Sequence, residues 1–233
     1  MKHKSIIKAL SAAVLIMSAP LAVIAQDTIK IGEINHYKRM AAFAGPYKNG
    51  IELAIEEVNA SGGVLGKPLE FIFRDDQGKP GEAVKIAEEL MTREGTVMLT
   101  GTILSNVGLA ISSFAGEKGY VYLASEPLAD SLVWSAGNPY TFRLRASTFM
   151  QAAMLAEAAA KTDAKKFATI APNYAYGKDA VAAFKENLLK LKPDAEFVAE
   201  QWPGVFKIDA GAEVQALERA KPDAIYNVTF GPD

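Results

Sequence analysis

From Thr28 onward the chain alternates short apolar runs with longer amphipathic runs, and this alternation limits the fold more than any motif does. The strand-like runs are 28–34, 69–73, "TVMLTG" (96–101), "YVYLAS" (120–125), "YTFRLR" (140–145), "KFATIAP", "AEFVAEQ" and "DAIYNV" (223–228). Helical spacing separates them. Tyr47, Ile51, Ala54, Ile55 and Val58 predict a helix over 46–60, with Pro46 in its first turn. Val84, Ala87, Leu90 and Met91 face inward in a second helix, and 105–118, 149–161, 175–191 and 209–220 supply the rest. Val181, Phe184, Leu188 and Leu191 mark the inner face of 175–191. Strand–helix alternation of this kind gives parallel sheets with helices on both faces. The strands are too many for one sheet. The reading is therefore α/β, as two Rossmann-like lobes: 26–145, and 146–233 with only three strands.

The N-terminus is a different kind of sequence. Lys2, Lys4 and Lys8 precede "SAAVLIMSAPLAVIA", and Val23 and Ala25 fit the small-residue rule for cleavage. Residues 1–25 are thus expected to be an export leader, cleaved after Ala25, with the mature protein in the periplasm. Pro20 and the shortness of the run argue against a membrane anchor. Cysteine is absent, which removes disulfides, thiol catalysis and zinc–thiolate sites. The formal net charge is −2, so no basic field calls for nucleic acid.

In open α/β sheets, ligands sit beyond the carboxyl ends of the strands. The loops there are rich in hydroxyls, amides and aromatics. Ser105, in "LTGTILSNVGLA", stands where a strand ends and a helix begins. It is expected at the N-cap, where its hydroxyl and the neighbouring N–H groups can meet a carboxylate. Phe43, Tyr174, Tyr176 and Phe230 fall in loops at the same edge and are candidates for an apolar wall. Other strings are set aside. "GGVLGKP" has Pro68 where a phosphate loop needs Ser or Thr. Asp75–Asp76 lacks calcium-loop spacing and reads as a polar turn. His36 has no second histidine beyond the leader, so no metal or cofactor is expected.

The stretch "NGIELAIEEVNASGGVLGKPLEFIFRDDQGKPGEAV" closely resembles the periplasmic leucine/isoleucine/valine-binding family, the type I solute receptors of branched-chain amino-acid-type ABC importers. The resemblance runs from about Thr28 to the end. It implies a two-lobed, non-enzymatic receptor that closes on a small ligand. In such a receptor Ser105 would grip a ligand carboxylate, and Phe43, Tyr174, Tyr176 and Phe230 would cover the apolar part. "ASEPLAD" departs from the family pattern: Glu126 and Pro127 lie near its threonine position and Leu128 falls on it. That departure points to an altered ligand taste, extending from amino acids to aromatic or other organic acids.

The expected partners are a small carboxylate ligand and the membrane permease of an ABC importer, with the receptor monomeric. A signalling receptor of the same fold is the alternative, and an exported hydrolase a more distant one. Family members are much longer, so the second lobe is expected to be incomplete, with exposed apolar faces and low stability.

Overall fold

The computed structural model describes residues 27–231. The leader and its cleavage site lie outside the described residues. Eight strands and six helices follow one another as β1 (Ile29–Asn35), α1 (Ala41–Ala60), β2 (Leu69–Asp75), α2 (Pro80–Thr92), β3 (Met98–Gly101), α3 (Ser105–Lys118), β4 (Tyr122–Ala124), β5 (Thr141–Arg143), α4 (Thr148–Ala160), β6 (Lys166–Ile170), α5 (Ala175–Leu191), β7 (Glu196–Gln201), α6 (Ala210–Ala220) and β8 (Ala224–Asn227). A single 3-10 turn, Asp130–Leu132, precedes β5. All strand pairs are parallel. They form two sheets, ordered β2-β1-β3-β4-β5 and β7-β6-β8. No helix of the described residues is long and apolar enough to cross a membrane.

The first core lies between β1, β3, β4 and the helices α2 and α3. Ile34, Leu90, Leu99, Val107, Ile111 and Tyr122 are enclosed there. The second is built on Phe167, Phe184 and Leu188 against Ala152 and Ala156 of α4. Alanines at those two α4 positions let α5 approach closely, and the Phe184 ring stacks on Tyr226 at 4.1 Å. On α5 the inner face ends at Leu188, which is fully buried, whereas Leu191 at the end of the helix is exposed.

α1 begins five residues before the expected start. Pro46 lies inside the helix rather than in its first turn. The chain is helical on both sides of it, without the bond that the missing N–H would make to Ala42 O and with the ring crowding that carbonyl. As a result Phe43 stands on the first helical turn and not in a loop. Its neighbour Ala44 anchors that turn, fully buried.

The two sheets are joined through the start of α4. Asp130 accepts from Thr148 Oγ1 at 2.5 Å and from Phe149 N at 3.1 Å. A carboxylate from the 3-10 turn thus meets the positive end of α4. Ser147 caps the same helix, accepting from Met150 N. Nearby, Ser131 donates its N–H and hydroxyl to Asp179 of α5, at 2.9 and 2.8 Å.

Candidate ligand-binding cleft

Between the sheets lies a cleft of about 230 Å³, lined by Phe43, Ile103, Ser105, Glu126, Leu128, Arg145, Gln151, Tyr174, Tyr176 and Phe230. Its position follows from the topology. The order β2-β1-β3 reverses direction beside β1, and the carboxyl ends of the strands open there into a crevice.

The corner after β3 is made by two unusual backbone positions. Gly101 has φ +106, and a Cβ there would stand 2.4 Å from Ile34 O. Thr102 follows at φ 59, a conformation that β-branched residues rarely adopt. Thr102 N donates to Ile34 O at 2.7 Å, and its hydroxyl meets Tyr122 OH at 2.5 Å. These bonds hold the chain in a sharp turn that delivers Ile103 and Ser105 to the cleft wall.

Ser105 is not the cap of α3. Leu104 occupies that position, without a side-chain cap bond, and Ser105 is the first helical residue. Its Oγ instead accepts from Ala129 N at 3.2 Å, across to the segment after β4. As an acceptor in that bond, the hydroxyl keeps its own proton for donation. The sequence pattern misled by one position, because a serine beside a helix start suits either place.

Gly108 of α3 allows the "EPL" segment to close in. A Cβ at Gly108 would lie 2.7 Å from Pro127 Cγ. Pro127 therefore packs on the helix, and Glu126 and Leu128 flank it at the cleft. Glu126 is nearly enclosed and accepts from Asn35 Nδ2 at 2.7 Å. Burial pushes its carboxyl above the usual range, against the opposing pull of Asn35 and the Arg145 charge. Asn35 Oδ1 in turn accepts from Ile103 N at 3.1 Å, tying the β1 end to the β3 corner.

The far wall comes from the three-stranded side. Tyr174 is the residue before α5, Tyr176 lies in its first turn, and Phe230 follows β8. Their rings form a cluster, with Tyr176 edge-on to Phe230 at 5.5 Å and Tyr174 at 5.9 Å from Tyr176. Only Tyr174 and Phe230 are in non-helical backbone; Tyr176, like Phe43, reaches the cleft from a helix. All seven residues singled out in the sequence line this one cavity. Ile103, Arg145 and Gln151 were not singled out. Among the described residues Arg145 is the sole cation of the lining, and its signal was present: a basic residue just past the last strand of the first sheet, on a connection facing the second.

Residues 28–233 match the protein family described as periplasmic binding protein. The Leu/Ile/Val-binding protein homolog 3 of Brucella melitensis biotype 1 is 29% identical over 188 residues, covering 80% of this chain and 50% of the relative. The chain thus spans about half the length of that curated relative. Among solved structures, a solute-binding protein of an ABC transporter from Rhodopseudomonas palustris BisB5, in complex with 3,4-dihydroxybenzoic acid, superposes with a TM-score of 0.79 at 27% identity, covering 88% of this chain and 56% of that one. A second, from Rhodopseudomonas palustris HaA2 in complex with p-hydroxybenzoic acid, gives 0.79 at 25% identity, covering 88% and 55%.

Proposed function

This chain belongs to the periplasmic binding protein family, and from that premise we propose that it is the solute-receptor element of an ABC importer, taking a small aromatic carboxylate between its two lobes. The single observation that carries the reading is the lining of the cleft. One wall is aromatic, the other offers a hydroxyl and helix N–H groups, and one guanidinium stands at the rim. Ser105 and the first turn of α3 donate to the ligand carboxylate, and Arg145 supplies the opposite charge. Phe43, Tyr174, Tyr176 and Phe230 enclose the ring. Structural neighbours that hold hydroxybenzoic acids support this ligand class. The lobes divide at 145–146, and ligand binding favours the closed arrangement that a permease recognises. The receptor is exported by its leader, works as a monomer and carries out no reaction of its own.

Glu126 favours a second reading. A carboxylate in the cleft, already held by Asn35, is a natural partner for a ligand ammonium, so an amino acid would also be accommodated. Calorimetric titration of the full chain with 4-hydroxybenzoate, benzoate, leucine and isoleucine separates the two. Saturable binding of the amine-free acids supports the aromatic-acid reading. Binding of the amino acids alone overturns it in favour of the second. Binding of none removes both.

A further inference from the structure

Apart from the cleft, one cluster of metal-type donors stands at the ends of β1 and β2. Asn35 pairs in register with Asp75, so His36, Asp75 and Asp76 emerge side by side although they are far apart in the chain. One ligand atom from each lies within 4.8 Å of the other two. His36 Nδ1 is 3.7 Å from Asp75 Oδ1 and 3.9 Å from Asp76 Oδ1.

Those separations are too long for hydrogen bonds. They are near the spacing of donors that share one ion: two ligands at about 2.0–2.2 Å from a tetrahedral zinc stand about 3.4 Å apart. Burial makes the arrangement harder to dismiss as a surface accident. His36 is 6% exposed and Asp76 1%. His36 Nδ1, facing both carboxylates, has no hydrogen-bond partner, and neither does Asp76 Oδ2. Buried polar atoms are seldom left so, because desolvation is then uncompensated. The two oxygens nearest His36 Nδ1 also accept from backbone N–H groups, which fixes the carboxylates and leaves each oxygen a second lone pair. Asp75 Oδ1 accepts from Gln77 N at 2.8 Å, Asp75 Oδ2 from Lys38 N at 3.3 Å, and Asp76 Oδ1 from Gly78 N at 2.6 Å. Such bonds orient ligand carboxylates in metal sites.

We propose that His36, Asp75 and Asp76 form a site for one divalent transition cation, zinc in the first instance, with water completing its shell from the open side of Asp75. One imidazole nitrogen with two carboxylate oxygens suits zinc better than calcium or magnesium, which prefer all-oxygen shells. Asp75, 21% exposed at its side chain, gives the ion a way in. The ion ties the loop after β1 to the loop after β2. The first of these loops leads into α1 and so to Phe43, but the site shares no residue with the cleft lining.

The test is zinc titration of the full chain by calorimetry, with thermal melts in zinc, in calcium and in excess EDTA. One zinc per chain and a higher melting temperature that EDTA reverses are expected. Cobalt substituted for zinc should give visible d–d absorption. His36→Gln and Asp75→Asn should each weaken zinc binding tenfold or more, on the order seen when a metal site loses a supporting partner. His36 is buried; if its variant does not fold, Asp75→Asn on the partly exposed side carries the comparison. No saturable uptake overturns the proposal. So does zinc binding that Asp75→Asn leaves unchanged, and so does stabilisation by calcium in preference to zinc.

Discussion

The guanidinium of Arg39, just ahead of α1, lies 4.9 Å from the ring centroid of Phe206, in the loop after β7. The same side chain donates to Phe206 O at 3.3 Å. Phe206 holds φ 57, a left-handed turn that presents both its ring and its carbonyl to the arginine. The contact joins the segment after β1 to the segment after β7, and so one sheet's side of the molecule to the other's; it exists only when they are together. Arg39→Ala should leave secondary structure intact and weaken 4-hydroxybenzoate binding by about two- to fivefold, the equivalent of an exposed cation–π contact of about 0.5–1 kcal/mol. Stopped-flow measurement should assign the change to faster dissociation. An unchanged dissociation rate would show that this pair does not hold the lobes together.

Ser105→Ala probes the proposed carboxylate subsite. The hydroxyl does not cap α3, so circular dichroism should change little, while losing the buried acceptor of Ala129 N should lower stability by about 1–3 kcal/mol and the melting temperature with it. Loss of one hydrogen bond to a charged ligand should lower 4-hydroxybenzoate affinity by about 10- to 100-fold, or about 1.5–3 kcal/mol. Equal affinity in calorimetry removes Ser105 from the site.

Glu33, on β1, is fully enclosed, and burial pushes its carboxyl up to about 8, partly offset by Tyr37 and Asn35. The folded chain therefore binds a proton that the unfolded chain, titrating near 4.5, releases. Stability should fall as pH rises through the window from about 4.5 to about 8, and level off above it. Glu33→Gln keeps the shape and removes the titration. Melting curves of the two proteins should run close together at pH 5 and diverge by pH 9, with the variant more stable. Parallel curves across that range would contradict the assignment.

Gly101→Ala tests the corner itself. The methyl group would meet Ile34 O at 2.4 Å and Glu33 Oε1 at 2.6 Å, at a φ of +106 that alanine resists. Destabilisation of at least about 1–3 kcal/mol is expected from the backbone conformation alone. Chemical denaturation should show a lower midpoint, and 4-hydroxybenzoate affinity should drop with it, because the Thr102 turn shifts.

Much of this was legible before any coordinates. The α5 boundaries, 175 to 191, are those read from Val181, Phe184 and Leu188, since a long amphipathic stripe between two apolar strands has few alternative readings. Ser105 and the four aromatics were singled out because the segments beyond the strand ends converge at one sheet edge, and Glu126 and Leu128 through the family resemblance; all seven line the cleft. What escaped was set by tertiary context. Pro46 reads as a helix start, and only the packing of Ala44 shows a helix already under way. Arg145 ended a strand pattern and looked like a boundary, while its side chain faces a cleft that exists only in three dimensions. His36 seemed to lack partners because its neighbours come from the next strand, through a register that periodicity does not encode.

The reversal of strand order beside β1 also governs when a binding-competent molecule can arise. The cleft draws on the ends of β1, β3 and β4 and then on residues beyond β6 and β8. No local hairpin or isolated helix pair contains even half of it. Parallel pairing across such separations is slow, because chain closure must precede the contacts that reward it. Ligand affinity should therefore emerge last during refolding, after helical signal has recovered, which makes binding a stricter readout of correct assembly than any spectroscopic measure of secondary structure.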